Sequence, residues 1–169
     1  MQYSAVASNP FAVLTAIVAP AILTNASSVL ALGTSNRLAR VVDRTRVVAA
    51  ELSARDPANP DYSIWAAQLA PLHVRAQLLL KALRFFYAGL GLFAASALVS
   101  VGGSIAAYYG QRFLFEAAAA LAVLTGSSAV LGLSAGCIVM VRETQLAVRT
   151  LTEEAELRAR HHAVVRPLP

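Results

Sequence analysis

The residue pattern points to an all-α membrane protein: three long transmembrane helices extending into a cytoplasmic antiparallel helical bundle. Three observations carry this. Residues 1–36, 85–111 and 117–141 contain no Asp, Glu, Lys or Arg, and each stretch holds a run of the roughly 20 apolar residues that a helix needs to cross hydrocarbon. Apolar residues make up 57% of the chain and the mean hydropathy is +0.60, too oily for an ordinary soluble domain of 169 residues. The apolar pattern also continues beyond the charge-free runs at helical spacing, so the helices should be longer than the bilayer is thick.

The basic residues set the expected orientation. Met1 to Asn36 has none, residues 37–84 carry eight, the turn after the second run carries only Arg112, and the tail carries five. Lys and Arg close to membrane ends stay on the cytoplasmic side. An N-terminus outside, residues 37–84 inside, Arg112 outside and the C-terminus inside accommodates 13 of the 14 basic residues. The isoelectric point near 10.0 then reflects topology plus attraction to anionic lipid head groups at the cytoplasmic face. No aromatic-basic platform accompanies the charges, so nucleic acid is not an expected partner. The first run lacks a basic n-region ahead of it and is too long for a signal peptide, so a retained span is expected.

One membrane domain over residues 1–169 is expected, with spans at about 11–35, 85–108 and 113–141 and cytoplasmic extensions at about 36–55, 61–84 and 142–163. Leu38, Val41, Thr45, Val48 and Leu52 recur at steps of three and four, the spacing of a coiled-coil seam. Trp65, Leu69, Leu72, Ala76, Leu79 and Leu83 do the same before the second run. Val141, Thr144, Val148, Leu151 and Ala155 repeat it more weakly after the third. Asp56-Pro57-Ala58-Asn59-Pro60 is the strong turn cluster of the cytoplasmic segment, with Asp61 or Ser63 available to cap the next helix. Pro71 should kink the second helix or mark its true start. Tyr108 to Arg112 should form a short outer turn with tyrosines at interface depth, and the Arg166-Pro167-Leu168-Pro169 end should fray.

Polar and small residues inside the spans are the candidate functional positions. Val18, Asn25, Ser28, Asn36 and Arg40 share one face of the first helix. An Asn in lipid is costly unless its amide finds a partner. Either Asn25 and Ser28 hold this helix to the other two, or the face lines a narrow oligomeric pore with Val18 in an apolar constriction and Arg40 at the inner mouth. Ser128, Gly132 and Gly136 fall four apart on the third span, a small-xxx-small stripe that serves packing within the chain or between copies. Glu143 lies at the depth of Arg37 and Arg40, and an Arg37–Glu143 ion pair at the inner rim is expected because half-buried charges need partners. Glu116 should pair with Arg112 one turn away on the surface, the alternative being that it guards an outer vestibule.

Enzymatic chemistry has no footing here. There is no Gly-rich phosphate loop and no His-Glu-x-x-His. Serines within the spans have no His or Lys at membrane depth to act as base. The single Cys137 rules out an intrachain disulfide. His161-His162 and the isolated His73 lack the clustering of a metal site, so neither metal nor cofactor is expected.

Asn9-Pro10, the apolar span with Pro20, and Asn36-Arg37-Leu38-Ala39 with Arg44 resemble an uncharacterised bacterial membrane family, domain of unknown function 2721. The basic approach from Arg75 to Arg84, the exit Glu143-Thr144-Gln145-Leu146 and the following Glu153-Glu154 also resemble its pattern. The resemblance covers nearly the whole chain. It implies a small, multi-pass bacterial inner-membrane protein with three spans and no assigned activity. Together these features lead us to expect a non-enzymatic homo-oligomer, in its sharper form a small pore or ion channel with an ion as the permeant species. The alternative is a scaffold or accessory subunit whose basic cytoplasmic helices bind a partner protein or anionic lipid.

Overall fold

Three long helices account for nearly all the described residues in the computed structural model: α1 (Pro10–Ser53), α2 (Pro60–Tyr108) and α3 (Arg112–Val165). The structure describes the backbone of residues 10–56 and 60–165, and the side chains of 22–56, 62–63 and 65–153. At 44, 49 and 54 residues, the helices reach about 65 to 80 Å at 1.5 Å per residue, more than twice the thickness of a hydrocarbon core. The all-helical expectation holds over the described residues.

Helix α2 is continuous through Pro71. Residues 61–70 are therefore not a separate helix. It starts at Pro60, a residue whose fixed φ and missing N–H suit the first helical turn, and Asp61 and Ser63 fall within that turn, the Asp61 side chain lying outside the described ones. The 57–59 part of the turn cluster, the His161-His162 pair and the expected fraying at 166–169 lie outside the described residues.

The connection from α2 to α3 is built by Gly110. Its φ of +71° is a conformation that glycine adopts without a Cβ clash. Gln111 N–H donates to the Ala106 carbonyl at 2.9 Å and Gly110 N–H to the Ala107 carbonyl at 3.0 Å. This crossed pair is the Schellman ending, which satisfies carbonyls that the helix would otherwise leave open. The Gln111 carbonyl then accepts from Phe115 N–H at 3.1 Å, opening α3. Tyr108 and Tyr109 stand exposed beside the turn, their rings edge to face with centroids 5.5 Å apart. Arg112 Nε pairs with Glu116 at 2.8 Å on the surface, as expected.

The chain divides into two compact units. One comprises Met1–Gly33 and Leu83–Gly136, the other Thr34–Ala82 and Cys137–Pro169. In the first, α2 and α3 pack through small residues. Gly89 lies against the Ala129 carbonyl, Gly103 against Ala118, and Gly136 against the Phe86 ring. Ser96 Oγ donates across to the Ala122 carbonyl at 2.8 Å. Contacts step backward along α3 as they step forward along α2, so this pair is antiparallel. A methyl on Gly136 would sit 2.5 Å from Phe86 Cε1. That ring is fully buried. Close backbone approach of this kind is how helices associate where lipid supplies no hydrophobic drive between them.

In the second unit, the seams expected on α1 and α2 meet. Val41, Val48, Leu72 and Leu79 are buried, with Leu38, Leu52, Trp65, Leu69, Ala76 and Met140 packed around them. Each such side chain removed from water contributes about 1.5 to 3 kcal/mol. Arg55 closes the end of this seam, pairing with Glu51 at 3.2 Å and lying 4.9 Å over the Trp65 ring.

The seam expected on α3 is in the wrong place. Val141, Val148 and Leu151 are more than half exposed and Thr144 is exposed, while Ala155 lies outside the described side chains. Helix α3 instead turns Val139 and Glu143 inward, with Met140, Ala147 and Thr150 half-buried. The inward side of this helix thus carries a buried carboxylate held by arginine beside the buried Val139.

Among the described residues, two helices are long and apolar enough to cross a membrane: Trp65–Tyr108 and Arg112–Glu153. Their most apolar windows are only 11% and 17% buried. The core helix of a soluble protein would bury such a window. Large apolar residues such as Leu98, Val101, Leu124 and Leu131 stand exposed along both, and contiguous exposed apolar surface marks membrane or partner contact.

Candidate functional site

The expected functional face of α1 is exposed along its described length. In the first unit Asn25 and Ser28 are both exposed. Ser28 Oγ donates to the Thr24 carbonyl at 3.0 Å. The Asn25 carboxamide has no hydrogen-bond partner among the described residues. In the second unit Asn36 and Arg40 are likewise exposed. The Val18 side chain lies outside the described residues.

The buried side of α1 is the opposite one. Ser27, Ala31 and Thr34 are buried, followed by Val41 and Val48. At about 100° per residue, Ser27 and Thr34 lie roughly 160° to 180° around the helix from Val18 and Asn36. Holding α1 to the rest of the chain is therefore not the work of Asn25 and Ser28. Ser27 can be buried because its hydroxyl bonds the Leu23 carbonyl at 2.7 Å, which leaves no donor unsatisfied in the contact. Asn25, with two donors and an acceptor, has no such local solution.

Of the small-residue stripe on α3, Gly136 is buried against Phe86 and Gly132 is half-buried with the Phe85 carbonyl 3.8 Å from a Cβ position, while Ser128 is exposed. Two of the three therefore serve the α2–α3 contact. Cys137 is exposed.

The second arrangement surrounds Glu143, which is 2% exposed. Arg37 Nη1 reaches its carboxylate at 3.8 Å, as the pattern suggested, and also donates to Thr144 Oγ1 at 3.3 Å. The stronger partner is Arg75, whose Nε donates to Glu143 Oε1 at 2.9 Å. Arg75 was not singled out from the sequence. Its signal was available, since a lone acid just past the third charge-free run, facing a segment with eight basic residues, would take the best-placed one. Thr34 Oγ1 touches Met140 Sδ at 3.6 Å, placing α1 and α3 side by side here. A buried ion pair contributes little net stability, but each partner becomes expensive to remove.

Beside this pair lies a recess of about 310 Å³ whose rim carries Arg37, Arg40, Arg44 and Arg75. Arg44 Nη2 donates to the neutral Gln68 Oε1 at 3.3 Å. Among the described residues, no group of three or more His, Cys, Asp or Glu side chains is placed to hold a metal ion.

Residues 17–153 match the family described as Protein of unknown function (DUF2721). The match spans well over half of the chain. The chain belongs to this family. No curated protein and no solved structure matches it. The DUF2721 match takes in the exposed α1 face, the Glu143 ion pair and both helices suited to crossing a membrane.

Proposed function

We propose that this DUF2721 protein is a three-span, multi-pass protein of the bacterial inner membrane, with its N-terminus outside and its C-terminus in the cytoplasm. It is non-enzymatic and self-associates through the polar face of α1, around which copies enclose a small ion pathway. The observation that carries this reading is Asn25, a carboxamide that is exposed and without a partner among the described residues, on a helix that the proposal runs through the membrane. An amide left unpaired in hydrocarbon costs several kcal/mol, so another copy or a file of water covers it. Asn36 and Arg40 continue that face toward the expected inner mouth, and the side of α1 that binds its own chain is already committed through Ser27, Ala31 and Thr34.

The test is reconstitution. In lipid nanodiscs the protein is expected as a dimer or larger, and in liposomes it should pass ions under an applied voltage. Asn25→Leu should leave the helix intact while changing the oligomer distribution and lowering the flux. A strictly monomeric protein with no flux under steps of voltage, pH or calcium would overturn the proposal.

A further inference from the structure

We propose that the arginine-rimmed recess of the second unit binds a phosphate oxyanion, presented by an anionic lipid head group or by a soluble phosphate. Arg37, Arg40 and Arg44 follow one another at steps of three and four along α1, and Arg75 reaches the same recess from α2. Glu143 is the acid in its lining, leaving a surplus of three positive charges. Like charges at helical spacing repel, and this ladder is tolerated best when an anion sits against it.

The four arginines are not equally engaged. Arg75 is taken by Glu143 at 2.9 Å, and Arg37 is shared between Glu143 and Thr144. Arg44 has the neutral amide oxygen of Gln68, and Arg40 has no partner among the described residues. Buried Glu143 thus orients Arg75 and steadies Arg37, while the donors of Arg40 and Arg44 remain for a ligand. Guanidinium forks match phosphate oxygens two at a time, and about 310 Å³ accommodates a phosphate with its immediate substituents. Through Arg37 and Thr144 the recess adjoins a groove of about 570 Å³ beside Met140, Val141 and Val148. That apolar margin would suit the glycerol and upper acyl portion of a lipid.

The experiment uses the full chain in two arms. In the first, nanodiscs of phosphatidylcholine doped with phosphatidic acid or phosphatidylglycerol are compared with phosphatidylcholine alone, and retained lipid is counted by native mass spectrometry. In the second, inorganic phosphate is titrated onto the protein in phosphatidylcholine nanodiscs, following thermal stabilisation. The variant Arg40→Gln/Arg44→Gln tests the recess. Arg46→Gln serves as control, since Arg46 is 79% exposed on the same helix beside Asp43 and does not line the recess. Saturable binding weakened roughly tenfold or more by the double variant, and less than about twofold by Arg46→Gln, is the expected result. Success in the first arm alone identifies a lipid, and success in the second identifies a soluble phosphate. No saturable binding in either arm, or equal losses in the variant and the control, would overturn the proposal.

Discussion

Replacing Arg75 by methionine keeps most of the side-chain volume but removes the guanidinium 2.9 Å from Glu143. The carboxylate stays 3% exposed, with Arg37 as its remaining partner at 3.8 Å. Breaking one side of a buried pair costs about 3 to 5 kcal/mol. Arg37 lies close enough to take part of the load, so the lower end, about 3 kcal/mol, is expected. At roughly 2 to 4 °C per kcal/mol for a chain of this length, that is a fall of about 6 to 12 °C in the thermal midpoint. Arg37→Gln should cost less than about 1 kcal/mol, because that side chain is 52% exposed and its contact is longer. The double variant Arg75→Met/Glu143→Met should recover most of the loss, since two apolar groups replace a pair that gained little over its desolvation cost. Circular dichroism melting of the three variants in nanodiscs is the assay. Equal losses for Arg75→Met and Arg37→Gln, or a double variant less stable than Arg75→Met, would refute the view that Glu143 is a buried charge held chiefly by Arg75.

Gly136→Ala should destabilise by about 1 to 3 kcal/mol, because the new methyl meets the buried Phe86 ring at 2.5 Å. Gly91→Ala on α2, where nothing lies within 4 Å, should instead stabilise by about 0.5 to 1 kcal/mol through helix propensity alone. Comparing their melting midpoints separates steric contact from propensity. In a Cys137→Ser background, a membrane-impermeant maleimide should label Tyr109→Cys from outside intact cells and reach Ser53→Cys only after lysis. Labelling of both from the same side would overturn the orientation drawn from the arginines.

The paired seams of α1 and α2 were legible because Val41, Val48, Leu72 and Leu79 repeat at heptad spacing and apolar burial in water follows that period. On α3 the same rule selected Val141, Val148 and Leu151, which are exposed. The inward side there includes the charged Glu143 beside Val139, and an apolar count scores a glutamate as surface. The small-residue approach of α2 to α3 was readable from the glycines, but not which helix they would meet. The packing side of α1 was missed for a different reason. A serine whose hydroxyl donates to the carbonyl four residues back packs like a small apolar residue, and both Ser27 and Ser28 do so, so polarity alone could not separate them.

The tight glycine ending between α2 and α3 constrains how this protein reaches its membrane. With Tyr109, Gly110 and Gln111 as the whole link between α2 and α3, the two rods are a hairpin that reverses direction within a few ångströms. Whichever way the first rod enters a bilayer, the second must return. Were both rods to cross, residues near 65 and near 150 would finish in the same compartment, and only a small, nearly neutral tip would be carried across.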